Sequence, residues 1–270
     1  MTELPPARAK TEGAPDGLWA KCPRCAGMLY QKELTQNLKV CRHCGFHFRL
    51  TARERIEFTA DPETFVERDA ELVTSDPLSF PGYARQLETY QERTGEKEAW
   101  IWGECRIAEI PAALLVAEFG FAGGSLGAAG GERIVRAFEH ALASRQPLVA
   151  VCASGGARMQ EGVVSLLQMA RTSAAAAALH AGGIPYISVL VDPVTGGVLA
   201  SFASLGDVII AESGAIIGFA GPRVIEQAFK TKLPPGSHTA AFQLQHGMVD
   251  MVLPRRDIRP TLAKLLAYLA

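Results

Sequence analysis

Two residue patterns in this chain could do chemistry. The first is Cys22-Pro23-Arg24-Cys25 with Cys41-Arg42-His43-Cys44, a C-x2-C-x15-C-x2-C spacing. Each cysteine pair puts two sulfurs on one side of an ion, and four thiolates make a closed tetrahedral zinc site. The protein would then fill every coordination position, so the zinc expected on Cys22, Cys25, Cys41 and Cys44 is structural. The second pattern is a pair of glycine turns. The apolar run Leu148 to Cys152 leads to Ser154-Gly155-Gly156, and a helical pattern follows. The run Ile184 to Val191 leads in the same way to Asp192-Pro193-Val194-Thr195-Gly196-Gly197. A strand that turns through glycines into a helix aims unpartnered N–H groups at one point, where the helix dipole adds partial positive charge. Paired glycines let a substrate oxygen approach the backbone closely. Each turn alone is also an ordinary strand-to-helix connection. Together they point to one composite site that binds a phosphate or stabilises an oxyanion. The expected donors are the amides of Gly155, Gly156, Gly196 and Gly197.

The elements that must position these residues follow from patterning. Residues 1–17, rich in Pro, Ala, Gly and charge, read as a disordered tail. Residues 18–50 form the cysteine module, with 28–30 and 38–40 expected to pair as a hairpin. So small a core leans on the metal for stability. Residues 51–98 read as connecting helices: Thr51-x-x-Glu54 is a capping box, Asp61-Pro62-Glu63 a helix start, and Gly95 the end of a helix begun near Tyr83. Residues 99–270 alternate strands with helices, often two strands to one helix, which implies a mainly parallel, layered α/β core. A strand pair over 105–110 and 113–119 precedes Gly123-Gly124-Ser125-Leu126-Gly127.

Composition narrows the function classes. The chain has 270 residues, 48% hydrophobic and 20% charged, enough for one sizeable core and a small module. The net charge of −1 argues against a general polyanion binder. The cysteine module is locally basic (Lys21, Arg24, Lys32, Lys39, Arg42, Arg49). A nucleic-acid contact there stays open beside a solvated face or a basic lip for an anionic substrate, and no interleaved aromatic platform is visible in the sequence. Neither GxGxxG nor GxxxxGK[ST] occurs, which removes the common dinucleotide and P-loop readings. No apolar run reaches the roughly 20 residues that span a bilayer, and the first residues lack the apolar core of a signal peptide. The expectation is a cytoplasmic protein with no membrane contact. Four of the six cysteines lie in tight pairs, as suits metal binding in a reducing compartment.

These motifs together resemble a known family. The four-cysteine ribbon, Gly123 to Gly127, Ser154 to Glu161, Pro185 to Leu190, Asp192 to Val198 and Gly218 to Gln227 are similar to those of the β subunits of bacterial acetyl-coenzyme A carboxylase carboxyltransferase. The likeness runs from Leu18 to Leu269. It implies a crotonase-like spiral of ββα units behind a zinc ribbon. It also implies transfer of a carboxyl group from biotin, carboxylated on a biotin carboxyl carrier protein, to acetyl-coenzyme A. The product is malonyl-coenzyme A, for fatty-acid synthesis. Implied partners are an α subunit of related fold, in an α2β2 assembly, and a biotin carboxylase. Ser154, Ala157, Arg158, Gly123, Gly124 and Arg223 are then expected on the acyl-coenzyme A side. For Arg158 an ion pair with Glu161 stands beside a coenzyme A contact, and for Arg223 a surface role stands beside both coenzyme A and the α subunit. No catalytic base is expected here, because the resemblance implies that released biotin takes the proton. A hydratase of the same fold would need an acid–base pair of carboxylates, and no paired glutamates flank either turn.

Overall fold

The computed structural model describes residues 18–220, 222–230, 232, 234 and 236–269. The expected tail at 1–17 lies outside them. The chain divides into two units, 1–48 and 49–270.

In the first unit, β1 (Trp19–Lys21) pairs antiparallel with β2 (Met28–Tyr30), and α1 (Gln31–Gln36) follows. Cys22, Leu29, Leu34 and Cys41 are its buried core. The expected pairing of 28–30 with 38–40 does not form. Leu38 and Lys39 take positive φ (53° and 54°), which turns the chain there, and Val40 bridges His47 instead.

The second unit opens with α2 (Ala52–Thr59), capped as expected: Glu54 N donates to Thr51 Oγ1, and Thr51 N donates to Glu54 Oε2 at 2.9 Å. No helix starts at Asp61. Its carboxylate instead accepts the amides of Ala108 (2.9 Å) and Glu109 (2.7 Å) and so closes a distant hairpin turn. Both turn residues have positive φ, which leaves their N–H groups in need of an acceptor. After β3 (Val66–Arg68), α3 (Tyr83–Thr94) ends at Gly95 in the left-handed region. β4 (Trp100–Ile107) and β5 (Ile110–Ala117) form the hairpin, and α4 (Ala128–Ser144) follows.

Next come β6 (Leu148–Ser154), α5 (Gly162–Ala181), β7 (Tyr186–Thr195) and α6 (Gly196–Leu199). The described chain ends with β8 (Val208–Glu212), β9 (Ile217–Gly218), α7 (Pro222–Phe229), α8 (Ala240–Gln245), β10 (Met251–Leu253) and α9 (Arg255–Leu269). The sheet order is β10-β8-β7-β6-β5-β4-β3, with β9 beside the end of β7. From β5 to β10 all neighbours are parallel; β3, β4 and β5 run antiparallel. All seven residues of β6 are buried, as in a strand covered on both faces. α5 is long and apolar enough to cross a membrane by length and composition. Here it buries Ser165, Gln168, Thr172, Ala176 and Leu179 on one face and packs along α4.

Because β6 and β7 are parallel neighbours, their carboxyl ends fall side by side. That is where both glycine turns leave the sheet, the usual place for a site in a parallel α/β fold.

Candidate active site and metal centre

The four ribbon thiols converge. All four sulfurs lie within 4.8 Å of one another, with Cys22 Sγ to Cys44 Sγ at 3.6 Å and Cys25 Sγ to Cys41 Sγ at 3.8 Å. Tetrahedral zinc with Zn–S bonds of about 2.3 Å sets sulfurs about 3.8 Å apart, so the cluster fits the ion. Leu29 and Leu34 pack beside the two buried cysteines.

The two turns touch backbone to backbone. A Cβ built on Gly156 would lie 3.2 Å from Gly196 Cα and from Gly197 N. Gly156 (φ +119°) and Gly196 (φ +61°) also need backbone conformations that L side chains rarely adopt. The stretch at 123–127 joins them: Gly155 N donates to Gly123 O (2.9 Å), Leu126 N to Gly156 O (2.9 Å) and Arg158 N to Leu126 O (2.9 Å). A Cβ on Gly124 would lie 2.0 Å from Ala153 O, so only glycine fits there.

These bonds also sort the expected donors. Gly155 N is taken by Gly123 O. Gly156 N donates to Ser154 Oγ at 2.9 Å, which makes buried Ser154 a staple of the turn. Gly196 N donates to Phe219 O at 2.8 Å. Among the described residues the amides of Gly197 and Ala157 have no acceptor. They are close, since a Cβ on Gly197 would lie 3.3 Å from Ala157 N. Gly197 lies in the first turn of α6, where a free amide is normal; Ala157, expected on the acyl-coenzyme A side, has the second free amide.

Arg158 does not face a ligand. It is 1% exposed and forks onto Glu98, with Nη2 to Oε1 at 2.5 Å and Nη1 to Oε2 at 3.1 Å. Of its two readings the structure holds the ion pair: Nη1 also reaches Glu161 Oε1 at 3.3 Å. Nε and Nη2 donate to Ser125 Oγ (3.0 Å) and Ser125 O (2.9 Å). Despite its burial, the surrounding carboxylates hold the guanidinium above its ordinary pKa. Glu161 also serves the N-terminus of another helix: its Oε2 accepts Ala128 N, the first amide of α4, at 2.6 Å.

Arg223 falls in α7, and its side chain lies outside the described residues. Gly123 supplies the carbonyl for Gly155, and Gly124 the close packing. No sequence signal marks Glu98, Tyr83 or Thr74, three polar residues outside every motif that meet around Arg158 and Glu161. One exposed aromatic also adjoins the site: Phe219, 76% exposed, whose carbonyl holds Gly196 N.

Comparison with known proteins agrees with both units. Residues 47–234 match the carboxyl transferase domain family, and residues 19–44 match the acetyl-CoA carboxylase zinc finger domain. The acetyl-coenzyme A carboxylase carboxyl transferase subunit beta of Heliobacterium modesticaldum is 57% identical over 252 residues, 93% of this chain and 95% of that protein. The protein of the same name from Desulforamulus reducens is 53% identical over 253 residues, 94% of this chain and 88% of that one. Among solved structures, the transcarboxylase 12S core with methylmalonyl-coenzyme A and methylmalonic acid bound superposes with a TM-score of 0.68. Its identity is 26%, over 81% of this chain and 41% of that one. A Pseudomonas malonate decarboxylase hetero-tetramer in complex with malonate shares the fold, with a TM-score of 0.64 at 24% identity over 82% of each chain.

Proposed function

From the premise that the chain belongs to the family of acetyl-coenzyme A carboxylase carboxyl transferase β subunits, we propose that the free amides of Ala157 and Gly197 form its oxyanion pocket. The fold is crotonase-like behind a four-cysteine ribbon, and carboxyl transfer to an acyl-coenzyme A is the activity that this domain carries.

Removing a methyl proton beside a thioester leaves negative charge on the carbonyl oxygen, and fixed N–H donors at that oxygen lower the barrier. The observation that carries the reading is that, among the described residues, the amides of Ala157 and Gly197, one from each glycine turn, have no acceptor, whereas those of Gly155, Gly156 and Gly196 are taken. Ser154, Gly123 and Gly155 hold the first donor in place, and Gly156 packed on Gly196 holds the second. Acetyl-coenzyme A is the substrate and malonyl-coenzyme A the product. Biotin, carboxylated on a carrier protein, supplies the carboxyl group and the proton acceptor. An α subunit of related fold completes the site in an α2β2 assembly, with a biotin carboxylase upstream, in the cytoplasm. The apolar row of Val163, Leu166 and Leu167 on α5, with Met159 in the turn just before it, is the face we assign to that partner. The ribbon holds one structural zinc on Cys22, Cys25, Cys41 and Cys44, and no step uses it.

The test is malonyl-coenzyme A-dependent carboxylation of free biotin, the reverse reaction. It is run with the chain alone, with its α partner, and with Gly197→Pro in the pair. Turnover in the pair that falls by about 10²–10³ with the proline supports the assignment, because that is the usual loss for one such donor. A folded, zinc-loaded pair that stays inactive on malonyl- and methylmalonyl-coenzyme A overturns it.

A further inference from the structure

Behind the oxyanion amides lies a buried ionic cluster that carboxyl transfer does not itself use. Glu98 and Glu161 are fully buried, with the Arg158 guanidinium between them. Tyr83 OH donates to Glu161 Oε1 at 2.7 Å and accepts from Arg158 Nη1 at 3.3 Å. Thr74 Oγ1 donates to the same Glu161 oxygen at 2.9 Å, and Ala99 N donates to Glu98 Oε1 at 2.8 Å.

Two carboxylates facing one guanidinium put three ionisable groups in the core. Burying ions costs several kcal/mol each, and well-packed apolar side chains in their place are often as stable. Stability alone therefore does not account for the cluster. Its distinctive property is geometric. A guanidinium presents its donors in a rigid fork. Here that fork joins Ser125, in the stretch beside the first turn, to the residue that follows Ala157. Both carboxylates and the Tyr83 hydroxyl fix the fork from behind. A Cβ on Gly127 would lie 2.6 Å from Glu161 Oε1 and 2.9 Å from Arg158 Nη1, so the backbone is moulded onto the cluster.

We infer that Arg158 is a positioning residue for carboxyl transfer, and that Glu98, Glu161 and Tyr83 set the place of its guanidinium and hence the aim of the Ala157 amide. This rests on the assignment of that amide as an oxyanion donor. Small displacements of such a donor matter, since a misplacement of about 1 Å can cost about a hundredfold in rate.

The experiment uses Tyr83→Phe and Glu98→Gln in the full zinc-loaded chain paired with its α partner. It reads kcat and KM for malonyl-coenzyme A, and amide hydrogen exchange over 123–127 and 154–161. Tyr83→Phe removes one oxygen and leaves the ring packed, so the test survives if Glu98→Gln fails to fold. The expected result is a kcat lower by about tenfold to a hundredfold. KM should stay within about twofold, because the interaction that weakens is one made in the transition state and not in substrate binding. Exchange should quicken in those two stretches and nowhere else. Unchanged kcat and exchange in Tyr83→Phe overturn the inference, as does a loss that merely tracks the unfolded fraction. If the wild-type pair shows no turnover, the functional reading has failed; the exchange data then still decide, and unaltered exchange over 154–161 overturns the positioning role.

Discussion

Gly156 and Gly196 meet backbone against backbone: a Cβ on Gly196 would lie 3.0 Å from Gly156 Cα and 3.2 Å from Gly155 O. Neither neighbour is a flexible side-chain end that could move aside. Gly196→Ala must therefore hold a side chain at φ +61°, a cost of about 1–3 kcal/mol, and push the turns apart as well. Pushing the turns apart also separates the two free amides. The expected outcome is a chain that still folds and holds zinc, with a lower Tm and a kcat reduced by about a hundredfold or more. Wild-type turnover in Gly196→Ala would show that the contact between the turns does not shape the site.

The ribbon should depend on its metal. Its described core is small, and the ion ties the two cysteine pairs together. Chelation is expected to release one zinc per chain and to expose the four ribbon thiols to a thiol reagent. The Trp19–Tyr30 ring pair, 5.6 Å apart across β1 and β2, should separate with a change in tryptophan emission. The unit at 49–270, with its own large core, should keep its far-ultraviolet circular dichroism. Cooperative loss of the whole signal on chelation would refute this independence.

Alkaline pH should weaken the fold through buried thiols. Burial pushes Cys152, in the middle of the sheet, up to about 12, and pushes Cys105 up to about 12 as well. Burial also raises the Tyr83 hydroxyl. Each group keeps its proton in the folded chain after the unfolded chain has lost it. The stability they protect is complete below the ordinary thiol value of about 9 and is lost as pH climbs through 12. One such thiol contributes a slope of up to about 1.4 kcal/mol per pH unit in that window. Denaturant unfolding of the zinc-loaded chain at several pH values between 8 and 11.5 measures it. Cys152→Ala should be less stable at pH 8 but show a flatter decline. An identical slope in the variant would remove Cys152 as a cause.

Much of this was legible in sequence because it is local. The C-x2-C pairs fix a metal site by spacing alone. Capping at Thr51 and Glu54 and the left-handed stop at Gly95 are decided within a turn of chain, and the apolar runs before each glycine turn mark β6 and β7. What was not legible depends on residues far apart. Asp61 looked like a helix start because Pro62 and Glu63 follow it, yet its carboxylate is claimed by amides 47 and 48 residues away. Arg158 followed a ligand-binding type of turn, and only its distance to Glu98, 60 residues earlier, shows that it turns inward. Which glycine amides are already taken likewise depends on Gly123 O and Phe219 O, contributed by other loops.

Met159 is 87% exposed, and Val163, Leu166 and Leu167 are each more than half exposed, along the helix that begins just after the Ala157 amide. Leu78, itself half exposed, joins this patch, since a Cβ on Gly162 would lie 3.1 Å from Leu78 Cδ1. Further along α5, Ala174, Ala177 and Ala178 are exposed and would let another helix approach closely. An apolar strip of this kind on a subunit of an assembling enzyme marks an interface. Leu167→Glu places a charge that association would have to desolvate. It should leave the chain folded and zinc-loaded while raising the Kd for the α partner at least about thirtyfold, the equivalent of a central hot spot of about 2 kcal/mol. Turnover should then fall at low protein concentration and recover at high concentration, because the site itself is intact. Tyr268→Ser, at an exposed position of α9, is the control and should not alter association. Calorimetric titration of the two chains decides the matter: unchanged affinity in Leu167→Glu would move the interface away from α5.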